Sequence, residues 1–295
     1  MKAQAQILSG PNYLADSLVL LKPRITLLAL ITTAAGIFIA PVRPSLIQTL
    51  FTLVGVTLLV GGANALNMFL ERDIDYLMER TRERPLPDKR LTPEYGLGLG
   101  SVLIGIAIPL LIYGVNPLTG WVGFLSLGTY VLVYTPLKKR TSLSLWVGAI
   151  PGAAPPLLGW TAATGGLALP GWILFGIIFF WQIPHFLAIG TFRREEYQRA
   201  GFKIFPQKQR PVTIKFQMIL TTLILIPTSL ALIPLGYAGK IYFWTAIVLN
   251  SYFLGSVFWG IRKKEERKWG KQVFLASLIY LTVIFLVLFI DGGTQ

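Results

Sequence analysis

GGANALNMFLERDIDYLMERTRERPLPDKR, residues Gly61 to Arg90, joins a long apolar segment to six acidic and six basic residues without a break. Upstream, residues 46 to 66 carry no charge over about twenty positions, the length needed to cross a hydrocarbon core. A helix therefore leaves the membrane here carrying polar side chains. Extending it places Asn67, Glu71 and Asp75 at i, i+4 and i+8, within roughly 80° of one another, with Asn64 a turn earlier on a neighbouring line. One amide and two carboxylates on one face suit Mg²⁺, a hard cation that takes one or two protein carboxylates and completes its shell with water and phosphate oxygens. Arg80, Arg82, Arg84, Lys89 and Arg90 follow and can neutralise the anion such a metal carries. The plainer alternative is that Glu71 and Asp75 are solvated helix-end acids paired with Arg72 and Arg80. Location favours a site, because a polar stripe that begins at Asn64 starts inside the apolar span, where such groups are costly. Asp73 points away from this face and reads as a solvated partner of nearby arginines.

Working outward, the 295 residues are 54% hydrophobic and 14% charged, which excludes an ordinary soluble domain. An all-α, polytopic membrane protein is expected, one domain over 1–295. Nine candidate spans fall at about 20–40, 46–66, 96–114, 118–135, 143–163, 170–191, 213–235, 241–260 and 272–290. Prolines at 151, 155, 156 and 184 are expected to interrupt the fifth and sixth. With the N-terminus in the cytoplasm, 25 of the 27 Lys and Arg residues fall on that side, leaving only Arg43 and Lys240 outside. The positive-inside rule thus expects the N-terminus in and the C-terminus out. The net charge of +14 belongs to one membrane face, suited to anionic lipid or phosphorylated substrates. Basic residues confined to short interhelical loops do not make a nucleic-acid surface. The absence of cysteine removes disulfide, thiolate and Cys-metal chemistry. Residues 1–17 have neither the apolar core of a cleaved signal nor an Arg-rich transit pattern, so the expected location is a prokaryotic plasma membrane.

Other stretches offer candidates with a bland reading beside each. Lys22-Pro23-Arg24 opens span one, and its cations are either interfacial anchors or anion contacts. Arg80, Arg82 and Arg84 with Pro85 and Pro87 form a stiff arginine-bearing loop that fits phosphate. Tyr134 and Lys138 would share a helix face, although Pro136 is expected to turn the chain between them. Gly148 to Pro156, rich in small residues, reads as close packing or as the broken lining of a cavity. His185, the only histidine, follows Pro184, and it either satisfies one hydrogen bond or meets substrate. Glu195 and Glu196 form a second acidic pair at the depth of Glu71 and Asp75, a faint functional repeat that can flank a diphosphate with two metal ions. The basic run from Arg262 to Lys268 reads as membrane-surface charge.

Several of these stretches together resemble the UbiA-type intramembrane prenyltransferases. The match lies in Asn67-x-x-x-Glu71-x-x-x-Asp75 with Met78, Arg80-Thr81-x-x-Arg84-Pro85 and Tyr134-Thr135-Pro136-Leu137-Lys138-Lys139-Arg140. It continues in Trp181-Gln182-x-Pro184-His185-Phe186 and Glu196-Tyr197-x-x-Ala200-Gly201, and Lys22-Pro23-Arg24 also fits. The segment around His185 is similar to the branch that modifies haem rather than aromatic rings. Two departures stand out. Where the wider superfamily has a second D-x-x-x-D, this chain has Phe192 and Glu196, and after Gly201 the usual Pro, Met and Leu are Lys203, Ile204 and Phe205.

The resemblance implies helices around a central cavity open sideways to lipid, capped by cytoplasmic loops 67–95 and 192–212. It implies transfer of farnesyl from farnesyl diphosphate to a vinyl of haem B, giving haem O for haem–copper oxidase biogenesis and releasing diphosphate. Asn67, Glu71, Asp75, Arg80, Arg84 and Lys138 would be catalytic. Arg24, Asn64, Tyr134, His185, Arg194 and Tyr197 would contact substrate. One or two Mg²⁺ would be held by Asn67, Glu71, Asp75 and Glu196, with haem B as substrate and a downstream haem A synthase as receiver. The competing expectations are a prenyltransferase of quinone-precursor rings and a secondary transporter. The transporter fits less well, because 12 of the 13 acids lie on the cytoplasmic side rather than at mid-depth.

Overall fold

The computed structural model describes residues 12–199, 201, 211–260 and 265–293, and every described element is helical apart from one isolated bridge between Ala238 and Gly292. The order is α1 (Tyr13–Leu20), α2 (Pro23–Ile39), α3 (Leu46–Asp75), α4 (Pro93–Gly114) and α5 (Pro117–Gly128). A π-helical turn (Thr129–Tyr134) runs into α6 (Thr135–Leu137), followed by α7 (Ser144–Thr164), α8 (Leu169–Phe192), α9 (Arg194–Arg199), α10 (Pro211–Leu230), α11 (Lys240–Trp259) and α12 (Glu266–Asp291). All nine expected spans have a helical counterpart, but the count of nine membrane crossings is not confirmed. Seven helices in the described residues are long and apolar enough to cross a membrane, or eight if the bent pair α1–α2 counts as one span. The shortfall includes α7, whose 21 residues hold three prolines and several glycines in place of branched aliphatics.

The helices form two halves joined through α2. On one side α3 packs against α4, and α5 lies against α4 and α7; on the other, α8 packs against α10 and α12, and α11 against α10 and α12. Helix α2 lies against α3, α7 and α12, and α7 meets α8 across the middle. The crossing of α2 and α7 is set by absent side chains. A Cβ on Gly36 would collide with the Pro156 carbonyl oxygen, and one on Gly159 with that of Thr33, so the two backbones touch only because both positions are glycine.

Helix α3 starts in a capping box, with the Gln48 amide N–H donating to Ser45 Oγ (3.1 Å) and the Ser45 N–H donating to Gln48 Oε1 (3.2 Å). Its 30 residues span roughly 45 Å, against a hydrocarbon core of about 30 Å. One end must therefore project, and it carries Glu71 and Asp75. Because α3 continues to Asp75, the expected cap at 67–95 narrows to a connection over 76–92, made of turns and pinned by buried Met78, Leu86 and Leu91. Of the second expected cap, 192–212, residues 200 and 202–210 lie outside the described residues, and with them Lys203, Ile204 and Phe205.

Two expected breaks do not occur. Helices α7 and α8 run unbroken through Pro151, Pro155, Pro156 and Pro184. Pro136 does not turn the chain either. The chain stays helical from Pro117 to Leu137 through it, and Thr135 Oγ1 donates to the Tyr130 carbonyl (2.9 Å).

Candidate active site at the polar rim of the cavity

Between the halves lies a cavity of about 520 Å³. Its deep wall is apolar, with Leu28, Leu59, Val60, Leu127 and Leu158 among the lining residues; its rim is polar and is built on the projecting end of α3. Asn64, Asn67, Glu71 and Asp75 all face it and all are buried, as spacings of three, four and four residues require. Asp73, between them, is exposed and lies 3.8 Å from Arg72.

Asn64 Nδ2 donates to the Leu21 carbonyl (3.4 Å), and Asn67, Glu71 and Asp75 are each met by a cation or hydroxyl from another element. Lys138 Nζ donates to both Glu71 carboxylate oxygens (2.8 and 3.1 Å), and Arg84 Nη1 donates to Asp75 Oδ2 (2.7 Å). Lys22 Nζ donates to Asn67 Oδ1 (3.1 Å), while Asn67 Nδ2 donates to Thr135 Oγ1 (3.2 Å). Thr81 Oγ1 donates to the Asp75 carbonyl (2.7 Å), fastening the arginine-bearing connection to the helix that carries the acids. Burial opposes the charge on Lys138, but the neighbouring Tyr134 and Glu71 outweigh it and hold the ammonium above the ordinary lysine range.

The π-helical turn has a local consequence. A five-residue hydrogen-bond step re-aims the side chains that follow it, and Tyr130 and Tyr134 both line the cavity with ring centroids 5.6 Å apart. Lys138 Nζ lies 4.4 Å from the Tyr134 ring centroid, so the shared face that a turn at Pro136 would have broken is intact.

Of the residues singled out in the sequence, the cavity brings together Asn64, Asn67, Glu71, Asp75, Arg80, Arg84, Tyr134, Lys138, His185 and Tyr197. It does not bring in Arg24, Arg194 or Glu196. Arg24 is exposed, and Lys22 takes its place because the chain breaks before Pro23 with a left-handed backbone at Lys22 (φ 47°). Arg194 lies 3.9 Å from Glu266. Glu196 accepts from Arg193 Nη1 through both oxygens at 3.0 Å, and Glu195 pairs with Arg199 at 3.7 Å. Sequence reasoning left the cations at 22 and 24 open between anchor and anion contact and chose Arg24 for the site, and it missed Tyr130 and Gln182 as lining residues. The Lys22-Pro23 break was the available signal for the first; nothing in the composition announces a π turn.

Among the described residues no three His, Asp or Glu side chains converge on a metal position. The donors present are Asn67 Oδ1 and the Glu71 and Asp75 carboxylates, all hard oxygens on one wall, which fit a Mg²⁺ ion that draws the rest of its shell from phosphate and water. Four cations, Lys22, Arg80, Arg84 and Lys138, stand against these two acids on the lining, so the rim carries net positive charge where a diphosphate would sit.

A bundle of apolar helices enclosing a greasy cavity with a cationic, carboxylate-bearing rim defines an intramembrane transferase that acts on a molecule with an anionic head and an apolar tail. Residues 29–279 match the UbiA prenyltransferase family, and the chain belongs to it. A protoheme IX farnesyltransferase of Sorangium cellulosum (strain So ce56) is 50% identical over 258 residues, covering 88% of this chain and 91% of its own. One of Anaeromyxobacter dehalogenans (strain 2CP-C) is 46% identical over 292 residues, covering 98% and 99%. Solved structures share the fold at low identity. A digeranylgeranylglyceryl phosphate synthase superposes with a TM-score of 0.81 at 14% identity, covering 96% of this chain and 99% of that one. A UbiA homologue from Archaeoglobus fulgidus bound to GPP and Mg²⁺ gives 0.67 at 15%, covering 92% and 99%.

Proposed function

We propose that this chain transfers the farnesyl group of farnesyl diphosphate to a vinyl of protohaem IX. The C1–oxygen bond of the farnesyl diphosphate breaks, diphosphate leaves, C1 bonds to the terminal vinyl carbon, and water supplies a hydroxyl to the other carbon with release of a proton. The observation that carries the reading is the rim: Asn67, Glu71 and Asp75 on one wall, ringed by four cations, above an apolar cavity. The relatives' names supply haem as acceptor.

The chain's own residues account for the binding and the protection. Arg84 and Lys138, which pair with the two acids, are placed to donate to an arriving diphosphate; Lys22 and Arg80 add positive charge beside it. Magnesium, held by Asn67, Glu71 and Asp75, would neutralise charge that builds on the leaving oxygens. A UbiA homologue from A. fulgidus was solved with GPP and Mg²⁺ bound, which supports a metal-dependent reading. A second ion through Glu196 finds no support in the placement of that carboxylate. The farnesyl tail gains about 0.8 kcal/mol per CH₂ that it buries along the apolar wall, and the same wall keeps solvent from the allylic cation until the vinyl attacks. Asn64, Tyr134, His185 and Tyr197 also line the cavity and would meet the acceptor. The one-sided distribution of basic residues supports a bacterial plasma membrane setting, N-terminus inside, C-terminus outside, with the connection over 76–92 on the cytoplasmic face. The product would pass to a further haem-modifying enzyme such as haem A synthase.

The test is to supply membranes containing the chain with farnesyl diphosphate and either haem B or 4-hydroxybenzoate. The reading expects farnesyl mass and one hydroxyl on haem alone; farnesyl mass on the benzoate alone overturns it.

A further inference from the structure

His185 stands on the opposite side of the cavity from the rim acids, on α8, and its surroundings decide which ring nitrogen carries the proton. Ser277 Oγ donates its single proton to the Phe274 carbonyl (2.6 Å) and lies 2.7 Å from His185 Nδ1. With that proton committed, Ser277 Oγ can only accept from the ring, so Nδ1 is the protonated nitrogen and Nε2 keeps a bare lone pair. Trp181 stacks on the imidazole at 4.7 Å between centroids and an interplanar angle of 24°, and its Nε1 donates to the Ser277 carbonyl (2.6 Å), locking the ring plane. Phe274 backs the ring at 5.0 Å. His185 is 8% exposed and lines the cavity, whereas Ser277 and Phe274 do not. No hydrogen bond reaches Nε2 among the described residues, and it is not one of their sealed, unsatisfied polar atoms.

An oriented neutral imidazole, held through Nδ1–H and presenting Nε2 to open space between aromatic rings, is the arrangement that ligates a metal centre. We propose that His185 Nε2 is an axial ligand to the iron of the acceptor haem, fixing the macrocycle so that one vinyl faces the farnesyl C1. This rests on the haem reading above. Flat rings beside the imidazole, Trp181 and Phe186, also line the cavity and suit a porphyrin face.

The test uses the full chain in lipid nanodiscs, with His185→Ala and His185→Gln beside it, titrated with haem B and separately with metal-free protoporphyrin IX. Optical and paramagnetic spectra read the ligation. The expected result is a histidine-ligated spectrum for the unaltered chain, lost in both variants. Haem affinity should fall on the order of tenfold or more, protoporphyrin affinity should be unchanged, and added imidazole should restore the spectrum. If a variant binds haem with the unaltered spectrum, ligation by His185 is overturned, even if turnover falls. If the unaltered chain binds no haem and prenylates another ring, the haem reading itself is overturned and the ligand assignment with it.

Discussion

The two halves of the molecule handle buried polarity in opposite ways. In the α8–α12 half, polar groups close on one another: Asn250 Nδ2 donates to Ser229 Oγ (2.9 Å), Tyr280 Oη to Asn250 Oδ1 (3.2 Å), and Tyr242 Oη to the Ser229 carbonyl (2.9 Å). These residues are sealed in a core that includes Leu225, Phe253, Ile284 and Phe285. In the α3–α7 half, the buried aliphatic cluster is smaller, and beside a closed contact such as Thr119 Oγ1 to Thr161 Oγ1 (3.1 Å) it buries ions that face a cavity and borrow partners from other elements. A closed network contributes rigidity and pairing of helices. An open set of ion pairs is available to a ligand that outbids one partner for the other. The half with more closed packing supplies the scaffold and His185; the other supplies the charge.

Substitutions on each side should therefore fail differently. Asp75→Ala should lower product formation on the order of 10²–10³-fold, while a thermal scan in detergent still shows a folded chain; near-normal turnover would remove Asp75 from the metal site. Gly159→Val attacks the joint between the halves, forcing a side chain into the Thr33 carbonyl. It should cost about 1–3 kcal/mol, read as a lower melting temperature or poor recovery from membranes, and an unchanged melting temperature would show that the close crossing of α2 and α7 is dispensable. Asn250→Leu opens the closed network and should cost about 1 kcal/mol of stability with turnover per folded molecule unchanged. A selective loss of turnover there would make the second half part of the chemistry. Glu196→Gln should have the smallest effect, since Arg193 occupies that carboxylate away from the cavity. A large rise in the Mg²⁺ concentration needed for activity would instead put Glu196 back among the ligands.

Sequence reading went furthest where one helix does all the positioning. Asn67, Glu71 and Asp75 lie four residues apart on α3, and helical periodicity alone puts them on one wall. It went wrong where a side chain's direction depends on a local departure from regular structure. Pro136 read as a turn, yet the helix runs on through it from a π-helical stretch, and this keeps Lys138 over Tyr134 and against Glu71. Lys22 and Arg24 were equivalent as letters; the left-handed residue before Pro23 sent the first into the cavity and left the second exposed. Glu196 matched a motif position but found a closer arginine.

What the chain's letters determined unaided was the apolar, multi-span class and the acidic face of α3, because hydropathy and a 3.6-residue period act within single segments and need no partner. The pairing of each acid with its cation, the retreat of Glu196, and the seating of His185 against Ser277 were decided only by the tertiary structure. Each depends on atoms that are distant in sequence or set by packing, as with Lys138 and Glu71, 67 residues apart, or Ser277 and His185, 92 apart.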